Sequence, residues 1–391
     1  MTARRRLLSV GHSYVVALNR RLADEMAQVG AGRWEVTAVA PRFMHGDLRP
    51  IPLEPLPGEA ARLEPVGVYG SRRPHLMAYG RRLRGLFRGG WDLVHCWEEP
   101  YVLSGFQVAW WTPPAVPFVF WTAQNLSKRY PPPFSWFERY CLCRAIGWLA
   151  CGQTTVDALA PRGYAAKPHR VMPLGVDLDV FRPDPAAGAA VRAALGWAAG
   201  PPVVGYLGRF VPEKGVSLLT QALDQVDRLW RALFVGGGPL EADLWAWAAR
   251  HGDRVRVCTG VPHDQVPALL NAMDVLAAPS RTTPHWREQF GRMLVEAFAC
   301  GVPVVGSDSG EIPHVIEDAG AIVPEADEAE WAAALAALLE SPARRAELAD
   351  RGLERARQFS WPVVARRHLE FFDELLDCKP DPSDRQGLGA S

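Results

Sequence analysis

No apolar run in this 391-residue chain approaches the roughly 20 residues that a helix needs to cross a bilayer. Net charge is also lacking: 43 basic and 43 acidic side chains cancel, so no global field draws the chain to nucleic acid or membrane. Cysteine is sparse and scattered. None of Cys96, Cys141, Cys143, Cys151, Cys258, Cys300 and Cys378 forms a CxxC pair, which argues against zinc or a disulfide framework and for buried thiols in a reducing cytosol. Cys141 and Cys143, two apart on a helical stretch, would point to different sides. There is no repeat of solenoid period. The basic opening Arg4-Arg5-Arg6 precedes an apolar run too short for a signal peptide, and Leu7–Val10 reads as a first strand.

What the chain does have is alternation. Short apolar runs at 7–10, 36–39, 93–95, 117–121, 147–150 and 170–172 are separated by helical patterns such as 15–29, 100–110 and 134–144. A second series after Pro201 places strands at 203–207, 232–235, 255–258, 275–278 and 302–305, with helices at 215–226, 240–250 and 265–271 between them. Strand–helix alternation implies parallel sheets covered by helices on both faces. Two doubly wound α/β domains are expected, facing each other across a ligand cleft at the carboxyl ends of their strands. The first covers 1–175, a Pro- and Asp-rich linker 176–200, and the second 201–360. A last amphipathic helix follows at 361–378, packing back toward the first domain, and then a Pro-, Ser- and Gly-rich tail at 379–391 expected to be disordered.

The chemistry concentrates in the stretch from Glu288 to Glu296, which carries Gly291 between its two carboxylates. It reads as loop, then helix, then a glycine stop and a buried strand. One carboxylate falls before the helix and one a turn or two inside it, with unpaired backbone N–H groups between them suited to a phosphate. Upstream, Gly208-Arg209 and Glu213-Lys214-Gly215 place a guanidinium and an ammonium at a strand tip and before the next helix, where both could neutralise a diphosphate. Gly236-Gly237-Gly238-Pro239 and Thr259-Gly260-Val261-Pro262 are two further loops at strand ends.

This ordered set, with Ala277-Ala278-Pro279-Ser280 and the run Glu296-Ala297-Phe298-Ala299-Cys300-Gly301-Val302-Pro303, resembles the retaining glycosyltransferases of family 4. That family has the GT-B fold of two Rossmann-like domains. The resemblance implies that Arg209 and Lys214 bind the diphosphate as catalytic cations and that Glu288 lies against the donor sugar. It also implies that Glu296 holds the ribose, while Phe290, Gly291, Arg292, Met293 and Leu294 contact sugar or phosphate. Gly208 and Gly237 would flank the donor and Val261 the base. It implies no metal and no cofactor beyond a nucleoside-diphosphate sugar. Two departures fall in the first domain. Family members often carry Gly-Gly after the first strand, where this chain has Gly11-His12-Ser13. They often carry His after the strand at 117–121, where Gln124 stands here beside Asn125. Gln124 and Asn125 are therefore acceptor-binding candidates, and His12 is the candidate for acid–base work, since glutamine cannot accept a proton as histidine can.

Other features admit two readings each. Trp97-Glu98-Glu99 is an acceptor contact or an exposed acidic turn. Asp177-Leu178-Asp179 resembles a metal-binding signature, but its place in the linker makes it structural. The basic stretch 70–90, with six arginines and interleaved apolar residues, is an amphipathic helix lying on a membrane or a core-covering helix with its cations toward water. The expected function is transfer of a hexosyl unit to a carbohydrate, lipid-linked or small-molecule acceptor, in the cytoplasm or at the membrane's inner face. A glycoside hydrolase, a nucleotide-sugar epimerase and a non-catalytic nucleotide-sugar-binding subunit are the rivals.

Overall fold

The computed structural model describes residues 4–46 and 50–377, so Cys378 and the 379–391 tail lie outside the described residues. The chain divides into two compact units. One comprises the chain through Cys151, Leu159–Met172 and the residues from Val364; the other comprises Gly152–Ala158 and Pro173–Val363.

In the first unit, seven strands form one parallel sheet: β1 Arg5–Val10, β2 Trp34–Pro41, β3 Arg62–Val66, β4 Leu93–Cys96, β5 Phe118–Thr122, β6 Gly147–Ala150 and β7 His169–Val171. Their order is β7-β6-β5-β4-β1-β2-β3. Leu7, Leu8, Ser9 and Val10 of the central β1 are all fully buried, as a parallel strand covered on both faces requires. In the second unit the strands are β8 Val203–Arg209, β9 Arg231–Gly237, β10 Val255–Thr259, β11 Val275–Ala278, β12 Val304–Ser307 and β13 Gly320–Val323, in the order β10-β9-β8-β11-β12-β13. Both sheets are doubly wound, and each reverses direction beside its first strand: between β1 and β4, and between β8 and β11. Ligands of such sheets bind at those switch points.

The last helix, Trp361–Asp377, joins the first unit from Val364 onward. There Phe372 meets Trp34 edge-on at 6.3 Å and Asp373 accepts from Arg5. His368 packs 5.8 Å from His95, both fully buried.

Two expectations need correction. The stretch 70–90 is not one amphipathic helix. It holds a two-residue hairpin (Val68–Tyr69 with Ala78–Tyr79), a 3-10 turn at Pro74–Leu76 and a helix only at Arg81–Leu86. Pro74, and Gly70 with its φ of 71°, punctuate what periodicity alone made continuous. Met77, Tyr79, Leu83 and Phe87 are buried while Arg72, Arg73, Arg81, Arg82, Arg84 and Arg88 face solvent. The stretch 176–200 is not bare linker either. Asp184 caps a helix at Pro185–Ala194 by accepting from Ala187 N at 2.9 Å. An Asp followed by Pro is a helix start as much as a linker signal. Asp177 accepts from the amides of Asp179 and Val180, so Asp177-Leu178-Asp179 makes a local turn.

Candidate functional site

The second unit's switch point is built by loops that follow β8 and β11. After β8 the chain makes a 3-10 turn at Pro212–Lys214 and leaves it through Gly215, φ 70°. A Cβ there would stand 1.7 Å from the carbonyl oxygen of Pro279, so only glycine lets the two loops touch. That contact brings Lys214 to Glu288. The ammonium lies 2.6 Å from Glu288 Oε2 and 4.9 Å from the centre of the Trp286 ring, and Ser280 Oγ donates to the same carboxylate oxygen at 2.7 Å. Glu288 is buried, 5% exposed. Arg209, at the tip of β8 in register with Gly237, is turned instead toward Glu213 at 3.9 Å and is half exposed.

Gly291, φ 80°, precedes the helix Arg292–Ala299. Glu288 therefore sits in the loop and Glu296 on the second turn, as the spacing implied. The Phe290 ring packs on Phe359 at 5.7 Å, and Leu294 is fully buried. The Phe290 and Leu294 side chains are thus taken up in packing, and the Leu294 amide donates to Gly291 O at 2.9 Å; Arg292 and Met293 are half-buried. Glu296 is buried, which pushes its pKa up to about 7 against the pull of Arg292. His263, two residues beyond Val261 in the loop after β10, stands 3.7 Å from Glu296. No role was assigned from sequence to His263, Ser280 or Trp286: Ser280 and Trp286 share the loop that carries Glu288, while His263 reaches Glu296 from the end of another strand.

At the first unit's switch point, the loops after β1 and β4 meet. Glu98, 1% exposed, accepts from four donors: His12 N at 2.6 Å, His12 Nδ1 at 2.6 Å, Ser104 Oγ at 3.0 Å and the Tyr79 hydroxyl. Burial opposes a charge on His12, yet Glu98 and then Glu99 outweigh it and hold its pKa above the ordinary imidazole value. Glu99 accepts from Thr122 Oγ1 at 2.5 Å and Ala123 N at 2.8 Å, and burial still raises its pKa to about 7. The exposed-turn reading of Glu98 and Glu99 is thereby set aside.

His12, Glu98 and Glu99 line a cavity of about 470 Å³ whose remaining walls are apolar and aromatic. Gln124 and Asn125, both buried, follow β5 and are not among its lining residues; Gln124 donates to Leu126 O at 2.7 Å within its own loop. Among the described residues no cluster of three or more His, Cys, Asp or Glu could hold a metal ion.

Comparison with known proteins adds what geometry alone does not. The model of the family described as "Glycosyl transferases group 1" matches residues 189–355, and that of "Glycosyltransferase Family 4" matches 15–180. A D-inositol 3-phosphate glycosyltransferase of Salinispora tropica is 30% identical, covering 93% of this chain and 80% of that protein. Another, of Segniliparus rotundus, is 36% identical over 52% of this chain and 46% of its own length. The chain thus spans about half the length of several relatives it matches. Among solved structures, sucrose-phosphate synthase of Thermosynechococcus elongatus superposes with a TM-score of 0.73 at 21% identity, covering 96% of this chain and all of that one. Anabaena HepE in complex with UDP gives 0.71 at 22% identity, covering 95% and 100%.

Proposed function

The chain belongs to glycosyltransferase family 4, the glycosyl transferases group 1 family with the GT-B fold, and on that premise we propose that it is a retaining, metal-independent transferase of a hexosyl unit from a nucleoside-diphosphate sugar. The observation carrying this reading is the buried Lys214–Glu288–Ser280 cluster at the second switch point, one short loop ahead of a glycine-started helix.

Lys214 and Arg209 would face the diphosphate, and the amides of Gly291 and the residues after it would add donors, so charge developing on the leaving group is met by fixed cations and N–H groups. The anomeric C–O bond to the diphosphate breaks and the acceptor oxygen bonds to the same carbon on the same face. The hydroxyl proton passes to the departing phosphate. Glu288 supports the positive charge that builds on the sugar ring, and Glu296 accepts from the ribose hydroxyls. The first unit would hold the acceptor, with His12 orienting its hydroxyl. Because Glu98 takes His12 Nδ1 and favours the imidazolium, His12 acts here by donating a hydrogen bond. Cys96, Cys141 and Cys300 are buried and form no disulfide among the described residues, which suits a reducing cytoplasm. No helix among the described residues is long and apolar enough to cross a membrane, and the solvent-facing arginines of 70–90 are the surface through which peripheral contact would occur.

A thermal-shift panel of uridine, guanosine and adenosine diphosphates tests the donor side, and release of the diphosphate with and without acceptor tests transfer. One nucleotide at 100 times its Kd should stabilise by about 2.7 kcal/mol. Glu288→Ala should abolish transfer while nucleotide still binds. Donor turnover with no acceptor product would replace this reading with an epimerase. Donor binding with no turnover under any acceptor would leave a binding subunit.

A further inference from the structure

The cavity at the first switch point is chemically one-sided. Two carboxylates, Glu98 and Glu99, are part of its lining, and no lysine or arginine is among its described lining residues. One guanidinium near its wall, Arg162, pairs through one nitrogen with Glu138 at 2.5 Å and lies over the Tyr130 ring at 5.5 Å. His12 and His75 are the imidazoles of the lining, and Glu98 already engages His12 through both its ring Nδ1 and its backbone amide. An anionic group entering here meets two carboxylates, while the His12 ring is already paired with Glu98, so the polar end has no surplus positive charge to offer it.

The rest of the wall favours a different guest. Tyr101 and Tyr130 stack at 4.1 Å with their planes 14° apart, making a rigid flat face. Phe134 meets His75 edge-on at 5.6 Å, and Met44 and Met77 supply deformable apolar surface. The polar side chains of the lining are His12, Glu98 and Glu99, with His75 against Phe134. A volume of about 470 Å³ is that of a small-molecule site.

We propose that this cavity binds an uncharged acceptor with a flat apolar or aromatic face, its hydroxyl held at the His12–Glu99 end, and that it discriminates against phosphorylated acceptors. This rests on the transferase reading for its chemistry, but binding can be measured without it. The ring of the acceptor lies along the Tyr101–Tyr130 stack, where a single aromatic contact contributes about 0.5–1.5 kcal/mol, roughly a threefold to tenfold change in affinity. Above pH 7, where Glu99 is mostly ionised, it accepts from the hydroxyl and repels a phosphate, so the titrations are run at pH 8.

The test is calorimetric titration of the full chain with a matched pair, phenyl β-glucoside and phenyl β-glucoside 6-phosphate, alongside the nucleoside diphosphate panel on the same sample. The neutral glucoside should bind at least about tenfold more tightly than its phosphate, as like-charge repulsion demands. Tyr130→Ala and Phe134→Ala should each weaken the glucoside several-fold, Tyr130→Phe should preserve it, and Glu99→Gln should narrow the discrimination. Equal or tighter binding of the phosphate overturns the proposal, as does an affinity unmoved by loss of either ring; the wild-type comparison decides it even where a variant does not fold. Nucleotide binding accompanied by no preference between the two glucosides sinks this inference alone. Preference for the neutral glucoside with no nucleotide bound leaves this inference standing and removes the transferase reading.

Discussion

The two units solve the same topological problem with opposite chemistry. Each winds its sheet in both directions from a central strand and leaves a crevice at the reversal. In the second unit a cation fills that crevice: Lys214 sits on Glu288, and Ser280 donates to the same oxygen. In the first unit a carboxylate, Glu98, is surrounded by an imidazole, two hydroxyls and an amide, and the space beside it is aromatic. The strand order dictates where a ligand goes and says nothing of which ligand. A crevice with lysine and a nearby arginine suits a diphosphate; one with two glutamates and stacked tyrosines suits a neutral hydroxyl compound.

The largest effect should come from breaking the charged crevice. Lys214→Ala leaves Glu288 buried without its cation, and removing one partner of a buried pair costs about 3–5 kcal/mol. Urea unfolding should show that loss, and diphosphate release should fall at least as steeply. In Lys214→Ala/Glu288→Gln much of the stability should return while activity stays lost. Stability unchanged in the single variant would mean that the pair is solvated and that the two crevices differ less than their geometry says.

The neutral-donor crevice should break more mildly. Glu98→Gln keeps the shape but turns an amide N–H₂ toward groups that themselves donate, so about 1.5–3 kcal/mol of stability should go, as for hydrogen bonds to a charged group. The sharper readout is His12. Its pKa stands above the ordinary value because Glu98 and Glu99 outweigh burial, so with Glu98 neutralised, an imidazole titration followed by NMR should move downward. An unmoved titration would show that Glu98 does not hold the charge on His12.

Much of this was legible in the sequence, and the failures have physical causes. Strand–helix alternation carried both sheets because parallel strands buried on two faces are short apolar runs with little else inside. β3 escaped notice because it is an edge strand with Arg62, Glu64 and Pro65 among its five residues, a composition that reads as loop. The Glu288–Glu296 spacing resolved correctly because loop, glycine and helix are contiguous. Glu98 did not, since its donors come from positions 12, 79 and 104 and no local pattern joins them. The 70–90 stretch misled for a related reason: its apolar period is real and its buried face is real, but Gly70 and Pro74 cut the backbone.

A third contrast is confined to the first unit, where the last helix docks. His95 and His368 are both fully buried, and their Nε2 atoms have no hydrogen-bond partner among the described residues. Burial lowers the pKa of His368 to about 4, and burial together with His368 lowers that of His95 well below the ordinary value. The unfolded chain therefore binds more protons below pH 6.5, and the stability these rings contribute as neutral groups is present above pH 6.5 and lost as pH falls toward 4. Each unit of depression corresponds to about 1.4 kcal/mol. Denaturant midpoints measured from pH 7.5 to 4.5 should fall, and His368→Phe should fall less steeply than the parent. Parallel curves for the two proteins would show that the pair does not titrate on unfolding.

The smallest effect concerns Glu296, which lies near His263 in the second crevice. Its pKa of about 7 comes from burial, so the folded protein holds a proton there that the unfolded chain releases from about pH 4.5 upward; stability from this group is present in acid and declines as pH rises through 7. Ligand binding should run the other way. A ribose hydroxyl needs a charged acceptor to gain most from its hydrogen bond, and about a tenth of Glu296 is ionised one unit below its pKa against about nine tenths one unit above. Nucleoside-diphosphate affinity should therefore rise by up to about tenfold between pH 6 and pH 8. His263 lies 3.7 Å away, so the measurement is made in His263→Gln as well. Glu296→Gln should bind more weakly at pH 8 and show a flat profile. A profile that keeps its slope in Glu296→Gln would assign the titration to the ligand's own phosphate and leave Glu296 with no part in holding the ribose.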